Sequence, residues 1–171
     1  VVQESLNIAS TMQLPILFVV ENNLYSSHLD ISQRQPSDRV ARFAEANGIK
    51  SEVIDGNDVV QVAKTTKLLI DEARSGNGPA FIEAVTFRWR GHVGPDENVD
   101  VGVRRSQKEI ELWKKRDPIS RLTQTLLSLN ITNNDLATIE KEITNVINNS
   151  YHQALKDPYP ENSKLLDFVY A

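Results

Sequence analysis

The feature that most constrains the fold of this chain is an apolar run, Leu14 to Val20, that stops at Glu21-Asn22-Asn23. A short run rich in β-branched and aromatic residues is typical of a strand that is buried on both faces of a parallel sheet. Ligands of open parallel α/β sheets bind beside the carboxyl ends of the strands. The polar side chains that follow this run are therefore a candidate functional site.

The segments around this run predict an alternation of helices and strands. We expect a helix up to residue 11, an irregular loop over residues 26–36, and a helix that starts near Pro36 and ends at Gly48. Strands are expected over residues 49–54 and 80–87, separated by a helix that Asp58 caps. This order favours an α/β fold with a doubly wound parallel sheet.

The pattern changes after residue 91. Residues 91–106 are rich in glycine and have no helical period, and long loops of this kind are usually functional or mobile. Helices are expected over residues 107–116, 119–129 and 134–156, the second of them opened by Asp117-Pro118. We therefore divide the chain into an α/β part (1–91), a loop at the candidate site (92–106) and a helical extension with an apolar tail (107–171).

Composition excludes several classes of protein. The net charge of −4 argues against general affinity for nucleic acid or anionic membranes, and the chain has no cysteine for disulfides or thiolate chemistry. The longest apolar run is too short to cross a bilayer. The glycine patterns of the common nucleotide-binding loops are missing. The chain begins at Val1 in what reads as the middle of a helix, so we expect it to be a fragment of a longer protein.

Two interpretations apply to the pair Asn22-Asn23. Adjacent asparagines commonly form tight turns through hydrogen bonds from their own side chains. Their amide oxygens, together with backbone carbonyls, also suit Mg²⁺, which proteins often share with a phosphate group. The residues alone leave both interpretations open.

A second polar cluster follows the strand at residues 80–87. Arg88 and Arg90 precede His92, and cations at the end of a strand can attract a phosphate. A solvated basic strand end explains the same residues equally well. The pair Arg104-Arg105 is either solvated or able to close over an anion.

Six blocks occur along the chain in a fixed order, and together they resemble one family. The blocks are ESLNIASTMQLPILFVVENNLYSS, ARFAEANGI, VIDGNDV, GPAFIEAVTFRWRGHVGPDE, DPISRL and LLDFVYA. They resemble the C-terminal half of the alpha subunit of the thiamine-diphosphate-dependent first component of 2-oxo acid dehydrogenase complexes, which act on pyruvate, branched-chain 2-oxo acids or acetoin. The resemblance implies the thiamine-diphosphate-binding fold, followed by a C-terminal helical tail.

The resemblance also implies roles for individual residues. Asn23 matches a side-chain oxygen ligand of Mg²⁺, and Tyr25 matches a residue that contributes its backbone carbonyl. His92 matches a histidine near the diphosphate and the reacting centre. Asp96 and Arg105 match residues that order the same loop. The family's acidic Mg²⁺ ligand belongs to a Gly-Asp-Gly motif that would precede this sequence.

The implied activity is the oxidative decarboxylation of a 2-oxo acid with transfer of the acyl group to a lipoyl arm. The implied partners are a beta subunit, in an α₂β₂ assembly, and the lipoyl-bearing acyltransferase. Val93 stands where many relatives carry a phosphorylated serine, which implies a bacterial-type, cytoplasmic protein without that control. Acetoin cleavage, or a non-catalytic relative kept for assembly, are the alternatives.

Overall fold

The computed structural model describes residues 1–93 and 105–167, which form two compact units, residues 1–124 and 125–171. The helices are α1 (Val2–Thr11), α2 (Arg42–Glu45), α3 (Val59–Arg74), α4 (Gln107–Lys114), α5 (Pro118–Ser128) and α6 (Asn133–Ala154). The strands are β1 (Leu17–Asn22), β2 (Tyr25–Ser26), β3 (Leu29–Asp30), β4 (Lys50–Asp55) and β5 (Ala80–Val85). Two short 3₁₀ turns span Ile31–Gln33 and Asn162–Lys164.

The main sheet has three parallel strands in the order β1-β5-β4. Asn22 of β1 and Asp55 of β4 both lie opposite Val85 of β5, so the three carboxyl ends share one edge of the sheet. The chain crosses from β1 to β4 through α2 and returns to β5 through α3. Because such crossovers are right-handed, opposite directions of travel place the two helices on opposite faces. The prediction of a doubly wound parallel α/β sheet is confirmed.

Two apolar clusters fill the two faces of the sheet, and alternate residues of β5 contribute to each. One cluster consists of Leu6, Ala41, Ala44, Ile49 and Phe81, and the other of Ile54, Leu69, Ala80, Ile82 and Ala84. The first cluster joins α1 and α2 to the sheet, and the second joins α3 to it. The core of this unit therefore surrounds β5.

The prediction that the run from Leu14 forms a strand buried on both faces is wrong in two respects. The strand begins at Leu17, and β1 lies at an edge of the described sheet, where Val19 is 57% exposed. The strand with both faces buried is β5, since it has a neighbour on each side and a helical layer on each face. The apolar run thus predicted that a strand forms, but it did not predict the position of that strand in the sheet.

The region between β1 and β4 also differs from the prediction. Residues 25–30 form an antiparallel hairpin, β2 paired with β3, inside the segment predicted to be an irregular loop. Regular helix begins at Arg42 rather than near Pro36, although Gly48 has the left-handed φ of +70° expected after a helix. The late start has a physical reason. The N–H groups of Val40 and Ala41 donate to the Glu83 side chain. The first N–H groups of a helix have no partner within the helix, so a side chain can accept from them.

The helices after the candidate loop match the predicted order. Asp117 caps α5 by accepting hydrogen bonds from the N–H groups of Ile119 and Ser120, each at 3.3 Å. Thr132 and Asp135 form a reciprocal capping box at the start of α6. An apolar stripe on α6 is exposed, from 55 to 62% at Ile139, Ile143, Val146 and Ile147. Within the described ranges, no helix combines the length and the apolar character needed to span a membrane.

Candidate functional site

The two polar clusters predicted at strand ends lie together at the carboxyl edge of the sheet. The N–H of Thr86, just after β5, donates to the carbonyl of Asn22 at 2.9 Å. The rings of Tyr25 and Phe87 meet edge to face with centroids 5.9 Å apart. Arg88 Nη2 donates to the carbonyl of Ser27 at 2.6 Å. The hairpin after β1 and the segment after β5 therefore form one packed structure.

The paired asparagines build the turn that leads into this hairpin. Asn22 Oδ1 accepts from the N–H of Leu24 at 3.0 Å, and Leu24 has a φ of +67°. Asn23 Oδ1 accepts from the N–H of Tyr25, also at 3.0 Å. The turn interpretation thus describes the backbone correctly. Since an amide oxygen carries two lone pairs, this hydrogen bond still leaves Asn23 able to bind a cation.

Glu83 is a buried carboxylate of the site that sequence reasoning missed. It lies in the middle of β5 and is 1% exposed. Oε1 accepts from Nδ2 of Asn22 at 2.7 Å, and Oε2 accepts from the N–H groups of Val40 and Ala41 at 2.8 and 2.7 Å. The signal was present in the sequence, since a charged residue within the apolar strand AFIEAV must find partners when it is buried.

Tyr25 lies between the hairpin and α4. Its hydroxyl is 3.5 Å from Oε2 of Glu109, and its ring lies 5.7 Å from the guanidinium carbon of Arg105. Burial raises the pKa of Tyr25, and the carboxylates of Glu109 and Asp30 raise it further against the opposing charge of Arg105. The phenol therefore stays neutral and acts as a hydrogen-bond donor toward Glu109.

Arg105 is buried, and it holds the backbone after β5. It is 3% exposed and donates to the carbonyls of Arg88 and Arg90, the second at 2.7 Å from Nη2. Its guanidinium also lies 5.4 Å from the centre of the Phe87 ring, within the range of a cation–π contact. Of the two interpretations of Arg104-Arg105, the solvated one does not describe Arg105.

His92 follows the backbone segment that Arg105 holds. Arg88 stiffens this segment further, because its Nε donates to the carbonyl of Arg90 at 2.9 Å. The side chain of His92 is exposed. Asp96 and the remainder of the predicted loop, residues 94–104, lie outside the described residues. Arg88 donates to the backbone carbonyls of Ser27 and Arg90, and the interpretation that Arg88 and Arg90 attract a phosphate stays a prediction.

A second network joins the end of β4 to the start of α5. Asn57 is 3% exposed; it accepts from Oγ1 of Thr86 at 2.7 Å and donates to the carbonyl of Arg116 at 3.0 Å. Asp55 pairs with Arg116 and Arg121, each at 2.9 Å. Burial alone would raise the pKa of Asp55, but hydrogen bonds from the Asn57 amide and from both guanidinium groups lower it below its usual range.

An open cleft of about 530 Å³ lies beside this network. Its lining consists of Gly56, Asn57, residues 86–90, Asp117, Pro118 and Ile119. Gly56 lies in one wall of the cleft. A Cβ at this position would lie 2.9 Å from the carbonyl oxygen of Val85, so a larger residue requires the backbone to shift. The cleft borders the same segment, residues 86–90, that leads to His92.

The candidate Mg²⁺ ligands at this edge are two oxygen atoms. Asn23 offers an amide oxygen and Tyr25 a backbone carbonyl, which are ligand types that hard cations accept. Within residues 1–93 and 105–167, no three His, Asp or Glu side chains converge on a common metal position.

Comparison with known proteins identifies the family of this chain. The family model described as "Dehydrogenase E1 component" matches residues 1–163. The chain is 35% identical to a pyruvate dehydrogenase E1 component subunit alpha of Porphyra purpurea over 98% of its length, and this covers 48% of the relative. It is 30% identical to the alpha subunit of acetoin:2,6-dichlorophenolindophenol oxidoreductase of Bacillus subtilis, over 98% of the chain and 49% of the relative. It is 28% identical to the 2-oxoisovalerate dehydrogenase subunit alpha of that organism, over 98% of the chain and 50% of the relative.

The chain spans about half the length of the curated relatives that it matches. The family suggested by the six sequence blocks is the one that these comparisons return. The match extends through the α/β unit and most of the helical extension. This chain belongs to the dehydrogenase E1 component family.

Proposed function

We propose that the protein containing this chain is the alpha subunit of a 2-oxo acid dehydrogenase, which oxidatively decarboxylates a 2-oxo acid and passes the acyl group to a lipoyl arm. One observation carries the proposal: in a chain of this family, the Asn23–Tyr25 turn and the segment leading to His92 pack together at the carboxyl edge of the sheet. That edge is where ligands of parallel α/β sheets bind.

Thiamine diphosphate, when bound, supplies the electron sink that allows a 2-oxo acid to lose CO₂. The task of the turn is then to hold the Mg²⁺ that accompanies the diphosphate. Oδ1 of Asn23 and the backbone carbonyl of Tyr25 would serve as two of its ligands.

His92 acts close to the reacting centre. An exposed imidazole can give or take a proton at a ring nitrogen, which is the commonest form of general acid–base catalysis. Arg105 supports this role, because it holds the carbonyls of Arg88 and Arg90 just before His92. We propose that Asp96 orders the same loop together with Arg105.

The alpha subunit works with a beta subunit in an α₂β₂ assembly. Its second partner is the acyltransferase component, whose lipoyl arm accepts the acyl group. The beta subunit is supported by the names of the relatives, which describe alpha subunits. The α₂β₂ composition and the acyltransferase are implied by the resemblance of the six sequence blocks. The exposed apolar stripe of α6 is consistent with a protein that assembles, since large exposed apolar patches commonly mark protein contacts.

Two other functions remain as candidates. Cleavage of acetoin is supported by the similarity to the Bacillus subtilis acetoin oxidoreductase subunit. A non-catalytic relative kept for assembly is the other candidate.

Reconstitution of the full-length alpha chain with its beta subunit tests the proposal. Pyruvate, 2-oxoisovalerate and acetoin are each supplied with an artificial electron acceptor, with and without Mg²⁺ and thiamine diphosphate. We expect turnover of one 2-oxo acid that requires both additions. Turnover of acetoin alone would select the second candidate. Absence of both turnover and Mg²⁺-dependent cofactor binding would select the third.

Paired histidine variants test the assignment of the proton-transfer residue. His92→Ala should lower kcat by roughly 10²- to 10⁴-fold, which is the usual contribution of a positioned acid or base. His152→Ala, at an exposed position of α6, is the matched control and should leave kcat unchanged. Equal activity of the two variants would remove His92 from the proposed mechanism.

A further inference from the structure

The centre of β5 contains a carboxylate that no proposed catalytic step uses. Glu83 lies between Val20 of β1 and Val53 of β4 in the register of the sheet, and it is 1% exposed. Burial of an ionisable group at such a position is costly unless its atoms are hydrogen-bonded. An apolar residue would avoid this cost within the strand, but it would leave the three donors that bind Glu83 without an acceptor. The carboxylate therefore requires an explanation beyond folding of the strand.

The partners of Glu83 are all donors. Nδ2 of Asn22 lies 2.7 Å from one carboxylate oxygen, and the N–H groups of Val40 and Ala41 lie 2.8 and 2.7 Å from the other. An ionised carboxylate only accepts, so it matches three donors. A glutamine of the same shape would place its own NH₂ group against at least one of them. The site thus selects glutamate over its neutral isostere.

The hydrogen bond to Asn22 fixes the orientation of the amide that forms the turn. Nδ2 of Asn22 is held by Glu83 and by the carbonyl of Asp38, the second at 3.1 Å. With Nδ2 directed into the core, Oδ1 faces the opposite way and accepts from the N–H of Leu24. That bond supports the left-handed φ of +67° at Leu24, which a residue with a Cβ seldom adopts unaided.

This turn also sets the positions of the two proposed ligand oxygens. Asn23 precedes Leu24, and Tyr25 follows it, so the strained residue lies between them. Tyr25 is tied back by its N–H to Oδ1 of Asn23. A rotation at Leu24 would therefore move the carbonyl of Tyr25 relative to the amide of Asn23. A cation requires both oxygens at fixed distances.

We propose that Glu83 is the positioning residue of the Asn23–Tyr25 turn, and that its carboxylate preorganises the two oxygens that receive a diphosphate-bound divalent cation. The identity of this ligand rests on the proposed function. The role of Glu83 in fixing the turn does not rest on that function, since it concerns only hydrogen bonds within the chain. Residues behind the direct ligands of a metal commonly change its affinity roughly 10- to 100-fold when they are replaced.

The test uses the full-length alpha chain assembled with its beta subunit. The first variant is Glu83→Gln, and the matched control is Glu140→Gln, the same change at an exposed position of α6. The dissociation constant of Mg²⁺ is titrated at saturating thiamine diphosphate. Hydrogen exchange of the peptide covering residues 20–27 is measured without cofactor. We expect Glu83→Gln to weaken Mg²⁺ binding roughly 10- to 100-fold and to accelerate exchange, with no change in the control.

A second variant keeps the test decisive if Glu83→Gln folds poorly. Combining Glu83→Gln with Asn22→Asp reverses the polarity of the pair, so that the amide at 83 donates to a carboxylate at 22. We expect this double variant to recover part of the protection of the turn, because the carboxylate at 22 accepts from the amide at 83 but no longer donates to the carbonyl of Asp38. A folded double variant whose turn exchanges as fast as that of Glu83→Gln would overturn the proposal, as would unchanged exchange and Mg²⁺ affinity in Glu83→Gln. Absence of Mg²⁺ binding in the unmodified protein would refute the proposed function instead, while the exchange data would still decide the role of Glu83.

Discussion

Replacement of Arg105 by methionine should loosen the segment that carries His92. Methionine retains an apolar stem against the Phe87 ring but removes the donors to the carbonyls of Arg88 and Arg90. A hydrogen bond from a charged donor contributes about 1.5–3 kcal/mol, and a buried carbonyl that loses its donor adds a penalty. Two such bonds, at the lower value each, give a loss of about 3 kcal/mol in the free energy of local opening.

Hydrogen exchange of the peptide covering residues 86–93 measures this opening directly. Since about 1.4 kcal/mol corresponds to a factor of ten, exchange should accelerate roughly 100-fold in Arg105→Met. Arg105→Lys keeps the charge but lacks the planar fork that reaches two carbonyls, so an intermediate, roughly 10-fold acceleration is expected.

The matched control is Arg39→Met. Arg39 forms an exposed ion pair with Glu45, and such pairs contribute only about 0–1 kcal/mol. Exchange of the peptide covering residues 86–93 should therefore be unchanged in this variant. Equal exchange in Arg105→Met and Arg39→Met would refute the view that Arg105 holds the backbone before His92.

Three other changes have defined outcomes. Because the pKa of Asp55 is lowered in the folded state, its stabilising effect is present above about pH 5 and is lost as the pH falls below about 4. Asp55→Asn should flatten this acid dependence in chemical denaturation, and an unchanged slope would contradict the assignment. Burial and the Glu109 carboxylate raise the pKa of Tyr25, so Glu109→Gln should lower that pKa. An ultraviolet titration measures the change, with Tyr25→Phe identifying the signal of Tyr25. An unchanged pKa would argue against the contact between Tyr25 and Glu109. Gly56→Ala places a methyl group against the Val85 carbonyl and should lower the free energy of unfolding in urea by about 1–3 kcal/mol. An unchanged free energy of unfolding would mean that the backbone shifts to accommodate the methyl group.

Local signals in the sequence were sufficient for the order of the three parallel strands and the helices, and for the edge of the sheet at which the candidate site lies. Asp58 was predicted to cap α3, and it accepts from the N–H of Gln61 at 3.0 Å. The convergence of Asn23 and the Arg88–His92 segment followed from a general property of parallel sheets, that their strand ends meet at one edge. Hydrophobic periodicity and helix capping depend on residues that are close together in the sequence, so they can be predicted without knowing which distant residues are in contact.

The details that sequence reasoning missed depend on contacts between distant residues. The partners of Glu83 lie 61, 43 and 42 residues away along the chain. The hairpin at Tyr25 has strands of two residues each, which are too short to show a period. The edge position of β1 depends on which strand lies next to it, and an apolar run does not encode that. The roles assigned to His92 and Asp96 remain predictions.

The most direct test of the central claim is the Mg²⁺ dependence of thiamine diphosphate binding. Isothermal titration of the full-length assembly, with Mg²⁺ and with chelator, should detect binding only when Mg²⁺ is present. Asn23→Ala should weaken that binding by about tenfold or more, since it removes one ligand of the cation. Asn149→Ala, at an exposed position of α6, should bind as the unmodified protein does. Equal affinity of all three proteins, or binding that persists in chelator, would contradict the claim that the Asn23–Tyr25 turn holds the cofactor's cation.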